Sequence, residues 1–414
     1  MDRVRRLRWL VPAAVAAWAL PVMPTPARPA AGAVSSIVVL RPGAGIDAVL
    51  SRLGPAASSV QRYEAALTGF SADLDAAARA RLAADPAVAA VVPSRAHHVA
   101  QLEGFVRDGP VIDHAVRRVG ALSSPTAAID GYDVGVDADI AVVDSGLPSG
   151  NPDLNVVGGV DCTGSGTWED TVGHGTFVSG LAAARDDARG VVGVAPGARL
   201  WAVKVMAPDS TVTDAALLCG LDWVAGNAAT VDVVNLSLGG PGFGSDCGGG
   251  RLDAVSLEHA AVCRIVASGV VAVASAGNAA ADATFTTPGG FPEVITVSAL
   301  TDTDGAPGGL GGPALCYPGA DDTFASYSDF GAAVDIAAPG TCVESTWLSG
   351  QHAVATGTSA AAPLVSGAAA LVRAVHPDWA VEQVRQWLLS TATPGPIPGD
   401  YDGLPEPVLD VAGF

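Results

Sequence analysis

Hydrophobic and polar positions follow two different patterns along the chain. From residue 137 onward, short apolar runs alternate with longer segments of helical periodicity; the runs are ADIAVVD, RLWAVKV, VDVVNLSL, GVVAVASA and EVITVSA. The segments between them predict helices over 174–184, 213–226 and 253–268. Strands that are apolar throughout and alternate with helices are typical of a parallel sheet covered on both faces. The pattern therefore predicts an α/β fold with a mostly parallel sheet.

A smaller unit with a different pattern precedes this region, over residues 35–99. Its predicted elements are, in order, a strand at SSIVVL, a helix from Ile46 to Leu53 ended by Gly54, a hairpin over SVQRYEAALTGFSADL that turns near Thr68-Gly69, a helix from Ala76 to Asp85 and a strand from Val88 to Val92. Together they predict a small α+β domain, near the lower size limit for folding without disulfides.

The N-terminus has the pattern of a secretory signal peptide. Four arginines precede the apolar segment WLVPAAVAAWAL, from Trp9 to Leu20, which is shorter than the roughly 20 residues that a membrane-spanning helix needs. The small residues Ala31-Gly32-Ala33 offer a cleavage site. We predict a signal peptide over residues 1–33, an extracellular protein and no stable membrane anchor; an uncleaved anchor is the less favoured interpretation.

Composition excludes some partners. The chain of 414 residues has a formal net charge of −20 and only 15% charged residues. Such a surface repels nucleic acid and anionic lipid head groups, so a nucleic-acid partner is not expected.

The six cysteines all lie beyond residue 160. An even number in an exported chain indicates disulfides, and none of the spacings is a Cys-x-x-Cys metal or redox motif. Six cysteines allow fifteen pairings, and the spacing alone does not select one.

Ser359 lies in the small, apolar segment ATGTSAAAPLVSGAAALV. Packing of a buried helix would explain this segment, and so would a nucleophile at a helix start. An activated serine needs a base, and the base needs an acid that holds its tautomer. Among seven histidines, His174 alone is flanked by glycines at a predicted helix start, and Asp144 ends a predicted buried strand. Asn278 follows the strand VVAVASAG and is a further polar residue at a strand end.

Five segments in one order now identify a family resemblance: VVDSGL, GHGTFVSG, VNLSLGG, ASAGN and GTSAAAP. From about residue 137 to about residue 392 the chain resembles the subtilisin-like serine proteases, whose triad has the chain order Asp, His, Ser. The resemblance implies a serine endopeptidase acting on polypeptides. Asp144 would orient His174, His174 would take the proton of Ser359, and Asn278 would stabilise the oxyanion.

The resemblance also implies a binding cleft. Substrate would add as a strand between 210–212 and Ser237, Leu238 and Gly239. The primary pocket would be lined by Ala274, Ser275, Ala276 and Gly277, with Thr286 near its base. No carboxylate is expected in this pocket, so a preference for lysine or arginine is disfavoured. No cofactor is required. Asp153 and Asp187 match calcium-ligand positions in some members of the family, but exposed loop aspartates are usually only solvated, and a structural calcium ion is the less favoured interpretation of the two residues.

The segments ALTGFSADL and DPAVAAVVP, with the helix between them, resemble the subtilisin propeptide or inhibitor domain. This implies a zymogen with an inhibitor domain over 34–100, a catalytic domain over 101–414 and self-cleavage that leaves a mature N-terminus between Ala100 and Leu102. Relatives also suggest a monomer, the pairings Cys162–Cys219, Cys247–Cys263 and Cys316–Cys342, and a cis peptide at Thr287-Pro288.

Two other functions compete with this interpretation. A lipase or esterase of the α/β-hydrolase type requires Gly-x-Ser-x-Gly and the order Ser, Asp, His. Here Ala361 replaces the last glycine, and only His376 follows the serine. A catalytically silent pseudoprotease that serves as a binding module is the second alternative, and no residue of the implied triad is missing.

Overall fold

The computed structural model of the chain describes residues 33–54, 57–98, 111–244, 247 and 252–414. Residues 1–32 of the predicted signal peptide and the predicted mature N-terminus between Ala100 and Leu102 lie outside the described residues.

A four-stranded antiparallel sheet is built by the first part of the chain. Its strands are β1 (Val34–Leu40), β2 (Ala57–Tyr63), β3 (Gly69–Leu74) and β4 (Val88–Pro93), with helices α1 (Ile46–Leu53) and α2 (Ala76–Ala83). The order across the sheet is β2-β3-β1-β4. Both helices cover one face through a shared core that includes Val49, Phe70 and Leu82. The α+β prediction is confirmed for these residues, and Gly54, with φ of 55°, ends α1 as expected.

A mostly parallel eight-stranded sheet forms the rest of the core. Its order is β15-β14-β12-β10-β6-β8-β7, with β16 paired to β14, and only β15 runs antiparallel. The strands are β6 (Asp139–Asp144), β7 (Val156–Asp161), β8 (Arg199–Lys204), β10 (Val233–Leu236), β12 (Val271–Ser275), β14 (Ile295–Thr301), β15 (Thr323–Phe324) and β16 (Ile336–Pro339). The predicted α/β fold class is therefore confirmed.

The helices lie on both faces of this sheet. They are α3 (His114–Arg118), α4 (His174–Ala183), α5 (Asp214–Gly226), α6 (Ala254–Ala267), α7 (Thr358–Val375) and α8 (Val381–Thr391). Alternate residues of β6 point in opposite directions: Ile140 and Val142 join the core with α4, α7 and α8, whereas Ala141 and Val143 join the core with α5 and α6.

Helix α7 runs through the first of these cores. Within the described residues it is the one helix long and apolar enough to span a membrane, and 83% of that stretch is buried inside the protein. Its apolar character therefore serves internal packing. Both explanations offered for the Ser359 segment can hold, because the buried helix begins at the carboxyl ends of the parallel strands, where ligands bind in such sheets.

Short strands and disulfides complete the fold. The short strands are β5 (Ala96–His98), β9 (Thr211–Thr213), β11 (Gly240–Pro241), β13 (Thr286–Thr287), β17 (Val343–Thr346) and β18 (His352–Ala355). The disulfides are Cys162–Cys219, Cys247–Cys263 and Cys316–Cys342, which confirms the pairing implied by the family resemblance. The Thr287-Pro288 peptide is cis, as the resemblance also implied.

Candidate active site

Asp144 is the last residue of β6, and its side chain is fully buried. Both carboxylate oxygens lie 2.9 Å from Nδ1 of His174, and Oδ1 also accepts the backbone N–H of Ser145 at 2.7 Å. An unpartnered buried carboxylate is costly, and these two donors remove that cost. The carboxylate accepts only, so it assigns the imidazole proton to Nδ1 and leaves Nε2 as an acceptor.

His174 is the first residue of α4, and only 7% of its side chain is exposed. Burial disfavours the charged imidazolium, but the negative charge and hydrogen bond of Asp144 outweigh burial, so the pKa of His174 is raised above its ordinary value. Asp170 adds a smaller contribution in the same direction. The imidazole is therefore a stronger base than a free histidine side chain.

Asp170 fixes the loop that leads into α4, and sequence analysis missed it. Its Oδ1 accepts the N–H groups of Val172 and Gly173, at 2.9 and 2.8 Å, and the hydroxyl of Ser145 at 2.9 Å. Its Oδ2 accepts both the N–H and the hydroxyl of Thr176. These bonds tie the end of β6 to the start of α4. The sequence offers no signal for this role, because Asp170 is one of several acidic residues in an irregular segment.

Ser359 is the second residue of α7. Its carbonyl oxygen accepts the hydroxyl of Ser237 at 3.0 Å, and that hydroxyl accepts the amide of Asn235 at 3.0 Å. A Cβ atom on Gly357 would lie 3.1 Å from Oγ of Ser359, so glycine leaves space beside this hydroxyl. Ser359 and His174 line the same open cleft, whose volume is about 590 Å³.

Asn278 lines this cleft as well, with its amide in a defined orientation. Its Oδ1 accepts the backbone N–H of Thr358 at 2.8 Å and the hydroxyl of Thr358 at 3.0 Å. A backbone N–H can only donate, so the atom facing it must be the amide oxygen. The amide nitrogen therefore points away from Thr358 and is available to another acceptor.

The cleft contains five of the seven residues predicted to bind substrate, namely Ser237, Leu238, Gly239, Ser275 and Gly277, together with Thr286. Ala274 and Ala276 do not line it, since both are fully buried. Side chains alternate along β12, so Ala274 points into the core with α5 and α6, while Ser275 faces the other way.

Two carboxylates, Asp282 and Asp329, line the cleft, which extends beyond the primary pocket, so the absence of a carboxylate from that pocket stays a prediction. Asp329 is almost fully buried, and its oxygens accept the N–H groups of Ala279 and Ala281 and the hydroxyl of Thr286, at 2.7, 3.0 and 3.0 Å. Asp329 is distant in sequence from the ASAGN segment, which is why the motif gave no sign of it. Phe285 adds an exposed aromatic ring.

Strand β5, at the end of the N-terminal segment, lies beside the cleft. It pairs antiparallel with β9, with Ala96 opposite Thr213, His97 opposite Val212 and His98 opposite Thr211. The predicted substrate strand was expected beside residues 210–212. The chain's own segment 96–98 therefore occupies one side of the arrangement expected for a substrate.

The family profile described as Subtilase family matches residues 135–405, more than half of the chain. This chain belongs to the subtilase family. The subtilase is accordingly a serine-type endopeptidase.

Individual relatives cover most of the subtilase. It is 34% identical over 340 residues to Subtilisin NAT of Bacillus subtilis subsp. natto, across 81% of this chain and 78% of the relative. It is 36% identical over 276 residues to Subtilisin BL of Lederbergia lenta, across 66% of this chain and 90% of the relative. A solved structure described as a cold adapted subtilisin-like serine proteinase is 26% identical and similar in fold, with a TM-score of 0.54 over 68% of this chain and 91% of that one.

Asp153 and Asp187 of the subtilase face one cavity of about 260 Å³. Burial raises the pKa of Asp153 to about 7; the hydrogen bond from Val191 opposes this rise and the charge of Asp187 adds to it. The positive charge of Arg185 also opposes the rise but does not cancel the effect of burial, so a cation bound here would favour the ionised carboxylate. Carboxylate oxygens suit a calcium ion, which takes six to eight oxygen ligands. Asp153 and Asp187 are therefore of the chemical type that binds calcium, and the remaining ligands would have to be carbonyl groups and water.

A second acidic cluster comprises Asp302, Asp304 and Asp321, whose carboxylate oxygens lie within 4.8 Å of one another. Arg118 lies 3.4 Å from Asp302. Asp321 accepts two hydrogen bonds from Thr303, from its backbone N–H and its hydroxyl, and one from the N–H of Gly311. Hydrogen-bond donors of the protein thus already satisfy much of this cluster, which is more typical of a stabilised loop than of a metal site.

Proposed function

We propose that this subtilase is an extracellular endopeptidase made as a zymogen, in which Asp144, His174 and Ser359 hydrolyse peptide bonds through an acyl-enzyme. The observation that carries the proposal is the buried pair of Asp144 and His174 opening into the cleft that Ser359 lines. A catalytically silent binding module would have no need for a histidine with a raised pKa beside an accessible serine.

The geometry supports a definite division of roles. Nδ1 of His174 donates to Asp144, so Nε2 can take the proton of Ser359 while Oγ attacks the scissile carbonyl carbon. The negative charge that develops on the carbonyl oxygen is then stabilised by the Asn278 amide and by the backbone N–H of Ser359 at the start of α7. His174 next gives its proton to the leaving amine as the C–N bond breaks. In the second half of the reaction His174 takes a proton from water while the water oxygen attacks the acyl carbon, and the proton returns to Oγ of Ser359 as the acyl–oxygen bond breaks.

The N-terminal segment 34–100 would act as the inhibitor. Support comes from β5, which lies on β9 in the place expected of substrate. The small sheet also contacts α5: Oη of Tyr63 donates to the carbonyl of Ala215, and Asp222 accepts the N–H groups of residues 64–66. Residues 1–33 would direct export, and the three disulfides suit an oxidising extracellular environment.

The proposal is tested by expressing the full chain beside Ser359→Ala. We expect the wild type to be cut between residues 99 and 102, to react with a fluorophosphonate probe and to hydrolyse casein. Ser359→Ala should remain uncut and unreactive while keeping the thermal stability of the zymogen. Cleavage of Ser359→Ala expressed alone at the same position would rule out self-processing, and an unreactive, inactive wild type would favour the binding-module alternative.

We also propose that Asp153 and Asp187 hold a structural calcium ion. A ligand that binds only the folded state raises stability with its concentration, so millimolar calcium should raise the Tm of the wild type by several degrees relative to chelator. Asp187→Asn should remove most of this rise, whereas Asp304→Asn, in the second acidic cluster, should retain it. An equal calcium response in the wild type and Asp187→Asn would contradict this assignment.

A further inference from the structure

A second, smaller pocket adjoins the cleft where β5 meets β9. Its walls contain two carboxylates that the proposed chemistry does not use, Asp214 and Glu258, together with Leu238 and Gly240. His97 of the N-terminal segment lies in it. We propose that Asp214 and Glu258 form an acidic subsite that selects peptide substrates with a basic side chain opposite Val212. This inference rests on the proposed function and names the substrate class of the same cleft.

Asp214 is the first residue of α5, and 7% of its side chain is exposed. Its carboxylate receives three hydrogen bonds from Arg95: from the backbone N–H at 2.7 Å, from Nε at 3.0 Å and from Nη2 at 3.1 Å. Nε2 of His97 lies 3.7 Å away. All the contacts recorded for this carboxylate among the described residues come from the segment that would leave on activation.

Glu258 lies on α6 and is almost fully buried. Its Oε2 accepts the hydroxyl of Thr287 at 3.2 Å. Burial raises the pKa of Glu258 to about 8; the Thr287 hydrogen bond and the charge of Arg95 oppose the rise, and the charge of Asp214 adds to it. A cation placed between the two carboxylates would favour ionisation of Glu258 and so gain a second counter-charge.

The N-terminal segment shows how a strand presents cations to this pocket. Side chains two residues apart in a strand lie on the same side, so Arg95 and His97 both face Asp214 while Ala96 faces away. His97 also lies against Gly240, where an added Cβ atom would be 3.1 Å from Nδ1 of the imidazole. The strand that the structure shows in this place therefore carries basic residues at both positions that can reach the acidic pair.

Departure of this segment removes the Arg95 and His97 contacts of Asp214 and leaves water in their place, while Glu258 keeps its hydrogen bond from Thr287. A bound peptide displaces that water, and a buried carboxylate without hydrogen-bond partners is strongly disfavoured. A peptide with arginine or lysine at the position of His97 would restore the lost donors. An alanine or leucine would cover the carboxylates without satisfying them, and a glutamate would add like charge. With cleavage between residues 99 and 102, the position of His97 is the third to fifth residue before the scissile bond.

The test uses the mature enzyme and internally quenched peptides with the sequence of residues 94–103. All carry Arg95→Ala, so that only one position varies. We expect kcat/KM to be at least about tenfold higher with arginine at position 97 than with alanine or leucine there, and lowest with glutamate. A peptide with His97→Ala and Ala96→Arg has the same charge on the opposite side of the strand and should show no such advantage.

Enzyme variants connect the preference to the two carboxylates. In Asp214→Asn with Glu258→Gln, the ratio of kcat/KM between the arginine and alanine peptides should fall to within about threefold of one. Asp137→Asn is the matched control, because Asp137 is an exposed residue before β6, at the opposite end of the sheet from the cleft. It should retain the full ratio. Fluorophosphonate titration gives the concentration of active sites, so that incomplete folding of a variant does not distort kcat/KM.

The outcomes separate this inference from the proposed function. Equal rates with arginine, alanine and leucine at position 97, or faster cleavage with leucine, would overturn the acidic subsite while Ser359-dependent casein hydrolysis still upholds the protease. If the double variant kept the wild-type ratio of kcat/KM between the arginine and alanine peptides, the assignment to Asp214 and Glu258 would be overturned. Failure of the wild type to cleave both casein and every peptide would overturn the proposed function and this inference with it.

Discussion

Asn278 shows how a single side chain gains a chemical direction from its neighbours. Its oxygen is already bonded to Thr358, at the start of α7, so its N–H groups face the cleft. The ASAGN segment identified the residue but not this orientation, because the partner lies 80 positions further along the chain. The same contact holds the amide next to the start of the helix that carries Ser359.

Replacing Asn278 by alanine tests the role proposed for this amide. An amide that binds the developing oxyanion contributes mainly in the transition state, so we expect kcat to fall by about 10²–10³, a magnitude known from this family, with little change in KM. Steady-state hydrolysis of a peptide anilide measures both constants. A large rise in KM with kcat retained would instead indicate a role in ground-state binding.

In the GTSAAAP segment, Ala360 follows Ser359 where members of the family often carry methionine. A methionine beside the nucleophile can be oxidised to a larger, polar sulfoxide. Met206 is the only methionine after residue 33, and it is fully buried on the other face of the sheet. All six cysteines are paired.

We therefore expect the mature enzyme to keep most of its activity in peroxide, and Ala360→Met to lose it. The measurement is residual anilide hydrolysis after timed exposure. Because Ala360 is fully buried, Ala360→Leu is the control, with a side chain of similar size but no sulfur. Rapid loss in Ala360→Leu as well would show that added volume, and not oxidation at this position, is responsible.

At the scale of elements, hydrophobic periodicity predicted the long helices and the central strands well. The predicted helix over 174–184 appears as His174–Ala183, and that over 213–226 as Asp214–Gly226. Periodicity missed β5 and β9, which are short and pair with each other although they lie far apart in sequence. It also missed the hairpin of β17 and β18, whose strands are only four residues long. Asp170, Asp214 and Asp222 were missed for the same reason, since their roles depend on tertiary contacts. The local sequence pattern therefore predicts the secondary-structure elements and the motifs. The residues that support the catalytic side chains and the cleft are identified only from the tertiary structure.

The start of α4 depends on Gly173, which has a φ of 100°. A Cβ atom there would also lie 2.4 Å from the ring of Trp347. We expect Gly173→Ala to lose about 1–2 kcal/mol through the backbone and a further amount of about 1–3 kcal/mol through overpacking, and to displace His174. Thermal unfolding and kcat/KM would both fall.

Gly164→Ala is the matched control for this prediction. Gly164 also has positive φ, at 78°, but a Cβ atom there meets nothing within 4 Å. Gly164→Ala should lower the free energy of unfolding only by the about 1–2 kcal/mol that the positive φ costs, with kcat/KM unchanged. A loss in Gly164→Ala equal to that in Gly173→Ala would mean that contact with Trp347 is unimportant.

At the scale of the whole molecule, the N-terminal antiparallel sheet contacts the catalytic part of the chain mainly through helix α5, and β5 pairs with β9. Ile37, Tyr63 and Val92 of the small sheet join the core that contains α5 and α6. The polar contacts cluster at both ends of α5, at Asp214 near its start and at Asp222 near its end. The surface that holds the N-terminal segment is thus continuous with the edge of the cleft, so binding of the small sheet places β5 on β9.

Asp222 offers the clearest test of this coupling. Its carboxylate accepts the N–H groups of Glu64, Ala65 and Ala66, at 2.9, 2.8 and 2.6 Å. Hydrogen bonds to a charged group are each worth about 1.5–3 kcal/mol, and alanine is well tolerated inside a helix. We expect Asp222→Ala in the full chain to be cut normally but to release the N-terminal segment sooner. The delay between cleavage, followed on a gel, and the appearance of peptidase activity should shorten about tenfold or more.

The control for this experiment is Asp137→Ala, which removes an exposed carboxylate far from the contact between the sheets. It should keep the wild-type delay. Since the three backbone N–H groups return to water once the segment leaves, the stability of the mature enzyme should be little affected by Asp222→Ala, and thermal unfolding of the purified mature form checks this. An unchanged delay at equal concentrations of active sites would mean that the core contacts of Tyr63 and Val92, rather than Asp222, limit release of the segment.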